Sequence, residues 1–146
     1  MDPRDEALRL DHQLCFPLYA CARKVTQAYT PFLKPLGLTY TQYLVMLVLW
    51  ESDGLRVTEL CERLYLDTGT LTPVLKKMEQ AGLLDRRRSV QDERQVEVFL
   101  TQAGQDLKEQ ARNIPFQMAR CMSMPQEDAA NLYRILHGML RHEPED

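Results

Sequence analysis

The sequence predicts a mainly α-helical chain with a small β-hairpin, whose last helix calls for a second subunit. Three observations carry that expectation. Apolar residues recur close to the 3.6-residue helical period over most of the chain. The period changes to 2 between Leu83 and Leu100. A last amphipathic segment, striped by Leu132, Ile135, Leu136, Met139 and Leu140, needs a surface to cover it that so small a chain does not supply, and a second subunit is the obvious one.

The 146 residues are one domain's worth, and a 45% hydrophobic composition suffices for a packed core. The longest apolar run, Tyr43 to Trp50, is far short of the roughly 20 residues a membrane span needs. The acidic start (Asp2, Asp5, Glu6) is unlike a secretion signal, so a cytoplasmic protein with no membrane contact is expected. Cys15, Cys21, Cys61 and Cys121 show no CxxC or Cys/His spacing, which predicts neither a metal site nor a disulfide framework, and no cofactor. The net charge of -3 is unlike that of a strong nucleic-acid binder, but charge is segregated: Lys76 to Arg94 carries six basic and four acidic residues, whereas Pro125 to Asp146 carries two arginines and five acids.

Leu8 to Leu33 reads as a long helical segment with Leu14, Leu18, Ala22, Val25 and Ala28 or Tyr29 on one face. Pro17 requires that helix either to start near residue 16 or to kink there, and Pro31, Pro35 and Gly37 are expected to end it. Thr39 with Gln42 has the form of a capping box, opening a second helix through Trp50 whose nearly all-round apolar character marks it as central core. Val57, Leu60, Cys61 and Leu64 make a short third helix. Leu71, Val74, Leu75 and Met78 make a fourth, capped by Gly82, whose start lies anywhere from Asp67 to Thr72 because of Pro73. Leu83 to Arg88 and Val96 to Leu100 are strand-like around a polar turn, a hairpin wing. Thr101 opens a helix to about Met122 with a bend at Pro115, and Pro125 begins the last helix.

Two short helices closely joined, the second polar on one face, outline a helix-turn-helix, and with the hairpin the fold becomes a winged helix-turn-helix. The second helix of such a pair reads the major groove of double-stranded DNA. Thr68, Thr70 and Thr72 at its start suit phosphate and base-edge hydrogen bonds, with Lys76 and Lys77 further along; turn and cap duty is the plainer role for the threonines. Arg86, Arg87, Arg88 and Arg94 put four guanidinium groups on the hairpin, where a narrow minor groove would attract them. Asp92 is spaced to pair with Arg94 and aim it.

The run from Asp67 to Glu79, Asp-Thr-Gly-Thr-Leu-Thr-Pro-Val-Leu-Lys-Lys-Met-Glu, resembles the recognition helix of the MarR family of transcriptional regulators. Asp92 to Thr101 is similar to that family's wing signature, D-x-R-x-x-x-V-x-L-T, with Phe99 ahead of the leucine. The resemblance implies an obligate homodimer binding an inverted-repeat operator. Within it, residues 1–146 form one domain, with dimerisation helices about 8–36 and 102–142 and a DNA-binding part about 40–100.

Leu14-Cys-Phe-Pro-Leu-Tyr19, with Tyr29 and with Tyr40 in its own motif, is similar to the organic hydroperoxide regulators within that family. In them a cysteine near the start of the first helix is hydrogen-bonded by two tyrosines. The similarity implies Cys15 as the redox-sensing residue, Tyr29 and Tyr40 as its partners, and Cys121 as a resolving thiol in competition with a small-molecule thiol. Only a thiolate attacks a peroxide, and hydroxyl donors or a helix N-terminus favour that form. Cys21 and Cys61 read instead as small packed hydrophobes. The expected activity is a repressor, not an enzyme, released from DNA when organic hydroperoxide oxidises Cys15. The alternatives are a MarR-type repressor answering a small aromatic ligand, with Cys15 incidental, and a thiol peroxidase, against which the basic wing and the lack of a thioredoxin-like pattern speak.

Overall fold

In a computed structural model that describes residues 2–142, the chain divides into two units, one ending at Arg112 and the other starting at Asn113. The first unit opens with α1 (Pro3–Ala7), whose N-cap Asp2 accepts the Arg4 amide, and a 3-10 turn at Leu10–His12. Helix α2 (Cys15–Leu33) follows. Residues 8–14 therefore lie outside the long helix, and of the two outcomes expected at Pro17 the start near residue 16 is the one observed. The start at Cys15 makes Pro17 the third helical residue, where the missing amide hydrogen would have had no intrahelical partner, so no kink is needed.

Pro31 does not end α2 as expected but lies inside it. Sitting in the last turn, it forfeits only one backbone bond, and the helix continues to Leu33, which is buried. A 3-10 turn at Lys34–Leu36 then leads to Gly37, whose φ of 69° is the left-handed value that lets the chain reverse.

The capping box is present. Thr39 Oγ1 accepts the Gln42 amide at 3.3 Å and Gln42 Oε1 accepts the Thr39 amide at 3.0 Å, opening α3 (Tyr40–Glu51). Tyr43, Val45, Met46, Val48 and Leu49 of α3 are buried, which makes it the central helix of this unit. A two-residue strand β1 (Leu55–Arg56) then runs into α4 (Val57–Leu64). Tyr65 turns the chain in the left-handed region at φ 54°, and α5 (Thr68–Gln80) follows.

Leu71, Leu75 and Met78 of α5 are fully buried, and truncating such a leucine costs on the order of 2–5 kcal/mol. Gly82, at φ 77°, turns the chain from α5 into the sheet, as the C-terminal glycine of a helix commonly does.

Strands β2 (Leu84–Arg88) and β3 (Val96–Leu100) pair antiparallel, with Leu84 opposite Leu100 and Arg88 opposite Val96. The hairpin is not alone: β1 joins the far edge of β3 through Leu55 opposite Val98, so the sheet order is β1-β3-β2. Thr101 caps α6 (Gln102–Ala111) and also donates its hydroxyl to the Gly82 carbonyl at 2.6 Å, closing the base of the wing. Gly104 packs so near β2 that a Cβ would collide with the carbonyl oxygen of Leu83. The lone tryptophan, Trp50, donates to the Gly104 carbonyl at 2.9 Å.

The expected helix from Thr101 to Met122 is in fact two, because α6 stops at Ala111 and α7 (Ile114–Met122) begins in the second unit. Pro115 lies in the first turn of α7 and has no amide hydrogen to give the Ala111 carbonyl, so the backbone ladder is interrupted at the proline where the sequence placed a bend. Pro125 precedes α8 (Gln126–Arg141), as expected. Leu132, Ile135, Met139 and Leu140 of α8 are all exposed. Among the described residues no single helix is long and apolar enough to cross a membrane.

Candidate nucleic-acid interface and thiol site

Helix α5 starts at the early end of its expected range because Asp67 Oδ1 accepts the Thr70 amide at 2.7 Å, capping the first turn. The Thr70 hydroxyl and amide together hold the Asp67 carboxyl below its ordinary value, so the cap is an anion at neutral pH. Pro73 falls inside the helix, which puts Thr72 in the second turn. Thr68 and Thr70 are exposed, Thr72 is half-buried, and Lys76 and Lys77 are exposed. A cavity of about 230 Å³ lies beside Thr68 and Thr72, between the starts of α4 and α5 and the wing residues Arg94 and Val96.

The four arginines of the wing are not equivalent. Arg86 is taken up by Glu79 in the last turn of α5, its amide donating to Oε2 at 2.9 Å and its Nη2 to Oε1 at 3.1 Å. Its side chain is 25% exposed and committed to this carboxylate, which sets Arg86 apart from the other three guanidinium groups of the hairpin. Arg87 lies over the Phe99 ring at 4.8 Å and Arg88 donates to the Glu93 carbonyl at 3.0 Å, both remaining exposed. Arg94 stands at the hairpin tip with 90% of its side chain in solvent. Its amide and Nε both donate to Asp92 Oδ1, at 3.1 and 3.3 Å, as the spacing suggested.

Cys15 is exposed at the first residue of α2, and the N-cap Leu14 supplies no side-chain acceptor for the first-turn amides. Tyr29 and Tyr40 are brought together, with ring centroids 4.8 Å apart. Neither is near Cys15 of the same chain: fourteen residues of helix at about 1.5 Å each separate Cys15 from Tyr29 by roughly 21 Å. The tyrosines can therefore meet a Cys15 only from another chain.

Tyr43, which sequence reasoning folded into the apolar core, completes the cluster at 5.7 Å from Tyr29 and 6.4 Å from Tyr40. Burial raises the pKa of all three, and for Tyr40 and Tyr43 the neighbouring phenols add to it. They are thus neutral hydroxyl donors at any physiological pH.

Cys61 is buried, as expected of a packed thiol. Burial first, then the charges of Asp67 and Glu62, push its pKa up. Cys21 is exposed, which corrects its reading as a packed hydrophobe: in α2 its position turns away from the core that α3 builds. Cys121 is exposed on α7 in the second unit. Among the described residues no three His, Cys, Asp or Glu side chains gather as a metal would need.

Comparison with known proteins gives this arrangement a lineage. Residues 27–111 match the family model of the transcriptional regulator SarA/Rot. The organic hydroperoxide resistance transcriptional regulator of Bacillus subtilis (strain 168) is 46% identical over 140 residues, 96% of this chain and 95% of that protein. The solved structure of reduced AbfR bound to DNA superposes with a TM-score of 0.78 at 36% identity, covering 97% of this chain and 99% of that one. Disulfide-formed AbfR gives a TM-score of 0.63 at 35% identity over 96% and 98%; AbfR is a protein of Staphylococcus epidermidis. A helix-turn-helix with its wing, the Asp92–Arg94 wing tip and 46% identity over 96% of the chain lead to one conclusion: the chain belongs to the MarR family of winged helix-turn-helix transcriptional regulators, in its organic hydroperoxide resistance subgroup.

Proposed function

We propose that this protein is a peroxide-responsive repressor whose reduced homodimer holds an inverted-repeat operator and lets it go when organic hydroperoxide oxidises Cys15. The observation that carries the reading is the exposed Cys15 thiol on the first turn of α2, in a chain 46% identical to an organic hydroperoxide resistance regulator. Thr68, Thr70, Thr72, Lys76 and Lys77 of α5 read the major groove, and Arg94, aimed by Asp92, enters the minor groove flanked by Arg87 and Arg88. Large apolar side chains left in solvent at the N-cap of α2 (Leu14), on α2 itself (Phe16, Leu18, Tyr19) and on α8 support pairing of two copies through these helices. Residues 1–146 then act as one functional domain, with segments about 8–36 and 102–142 serving dimerisation, in the cytoplasm.

The chemistry balances in two steps. The Cys15 thiolate attacks the terminal oxygen of ROOH, the O–O bond breaks, an alkoxide leaves and takes a proton to become ROH, and sulfur is oxidised by two electrons to sulfenic acid. A second thiol then displaces hydroxide, giving a disulfide and water. Cys121 of the other subunit is one source of that thiol and a small-molecule thiol is the other. The change at sulfur repacks the dimer helices and moves the two recognition helices off the one-turn spacing of adjacent major grooves.

Replacing Cys15 by Ser is the test. The variant is expected to bind operator as tightly as the parent and to stay bound in cumene hydroperoxide, while mass spectrometry of the parent finds Cys15 oxidised on release. Release of the Cys15→Ser protein by peroxide would overturn the assignment.

A further inference from the structure

Arg86 and Glu79 face each other across the corner between the recognition helix and the wing. Glu79 is in the last turn of α5, and Arg86 is in the middle of β2, opposite the buried Val98. One carboxylate receives both the backbone and the side chain of the same residue: the Arg86 amide at 2.9 Å, Nη2 at 3.1 Å and Nε at 3.4 Å. A strand held through its own amide as well as its side chain cannot slide or roll against the helix without breaking the whole set.

A second brace works on the opposite side of the wing. Arg56, the last residue of β1, donates to Gln95 Oε1 at 2.9 Å and to Glu59 Oε1 at 3.3 Å, while its amide donates to Glu59 Oε2 at 2.8 Å. Gln95 sits between Arg94 and the start of β3. One brace thus ties the wing to the end of α5, and the other ties the root of its tip to the start of α4.

From these contacts we infer that Arg86 and Arg56 are positioning residues: paired to Glu79 and Glu59, they fix the angle and height of the wing relative to the recognition helix, so that Arg94 arrives in the groove in register with α5. The pairs share a chemical logic. Each puts a carboxylate close to a surface that meets polyanionic DNA, where an unneeded negative charge costs affinity, and each spends the arginine on that carboxylate rather than on a phosphate. Rigid presentation of the tip offsets that loss, because a preorganised wing gives up less freedom on binding.

The positioning role and a phosphate-contact role differ in sign and in salt dependence. The probe is a duplex selected by the wild-type protein from a randomised pool, titrated at several salt concentrations with thermal unfolding run alongside. Glu79→Asp keeps the charge but shortens the reach, and is expected to weaken binding about fivefold with the slope of log K against log salt unchanged. Glu79→Gln and Arg86→Gln are expected to do the same, the double variant no worse than either single one. Arg94→Gln lowers the steepness of that slope by about one. Hydroxyl-radical protection is expected to fade under the wing in the Glu79 variants while it persists under α5.

Two results would overturn the inference. If Arg86→Gln flattens the slope by about one, as loss of a phosphate contact does, Arg86 touches DNA. If Glu79→Gln tightens binding and Glu79→Asp leaves it unchanged, the carboxylate acts only as a charge. Should Arg86→Gln fold poorly, Glu79→Asp and Arg56→Gln, read by footprint and slope, carry the same decision.

Discussion

The rings of Tyr29 and Tyr40 stand with centroids 4.8 Å apart and planes inclined by 44°, toward the far end of the same helix that Cys15 begins. Tyr29 lies about 21 Å along that helix from Cys15 of its own chain, so the proposed pairing of the thiol with these phenols requires a second chain.

Mixed dimers make that relationship measurable. A Cys15→Ser chain paired with a Tyr29→Phe, Tyr40→Phe chain retains one complete site if the tyrosines act across the dimer, and none if they act within a chain. The expected outcome is that the remaining Cys15 is oxidised at the wild-type rate, whereas homodimers of the double phenylalanine variant react on the order of 10- to 100-fold more slowly. Stopped-flow loss of free thiol with cumene hydroperoxide reads both. Equal slowness in the mixed dimer would rule out donation from the partner.

Gly104 offers a test of the packing between α6 and the wing. A Cβ there meets the Leu83 carbonyl, and backbone cannot yield as a flexible side chain would. Gly104→Ala is expected to destabilise the fold by roughly 1–3 kcal/mol. Trp50 reports the event directly, since its indole donates to the Gly104 carbonyl and no other tryptophan contributes fluorescence. A urea midpoint unchanged from the parent would show that this corner tolerates a methyl group and that the close approach does not hold the fold.

Acid should loosen the DNA-binding unit in a defined sense. Glu59 is held below its ordinary value by the Arg56 amide and then its guanidinium, Asp67 by the Thr70 hydroxyl and amide, and Glu79 by the Arg86 amide and then its guanidinium. A carboxyl lowered in the folded state binds fewer protons there than in the unfolded chain. Its stabilisation is therefore complete above the ordinary carboxylate range of roughly pH 4 and is lost as pH falls through the folded value. Asp67 is solvent-exposed and Glu59 and Glu79 are partly so, and the individual effects are therefore small and screened by salt. Denaturant titrations from neutral pH downward are expected to show an acid limb that becomes shallower in Glu79→Gln, with the alkaline side unaffected. A limb identical in the two proteins would remove Glu79 from the account.

Much of this architecture was readable in the chain itself. The Thr39–Gln42 box, the apolar ladder of Leu71, Leu75 and Met78, the alternation from Val96 to Leu100 and the Pro125 start are local codes, set by hydrogen-bond valence and side-chain period, and each appears where it was expected. The failures were tertiary. Strand β1 is two residues long, too short to show any period, and exists because β3 has a second edge to pair. Pro31 is tolerated because one lost backbone bond near a helix end weighs less than the burial of Leu33. The site followed the same division: Asp92 and Arg94, two residues apart, were legible as a pair, whereas Arg86 looked like one more cation until folding brought Glu79 beside it. Tyr43 was hidden by its apolar neighbours, and only the Tyr29 and Tyr40 rings reveal what it packs against.

Cys61 gives the molecule an uneven susceptibility to attack. Its sulfur lies among the packed side chains of the DNA-reading half, shielded from solvent and kept in the protonated state by burial and by the carboxylates of Asp67 and Glu62. Cys15, Cys21 and Cys121 are by contrast exposed, so an oxidant arriving from solvent meets three thiols at the surface, while the fourth is both shielded and held in its less reactive protonated form.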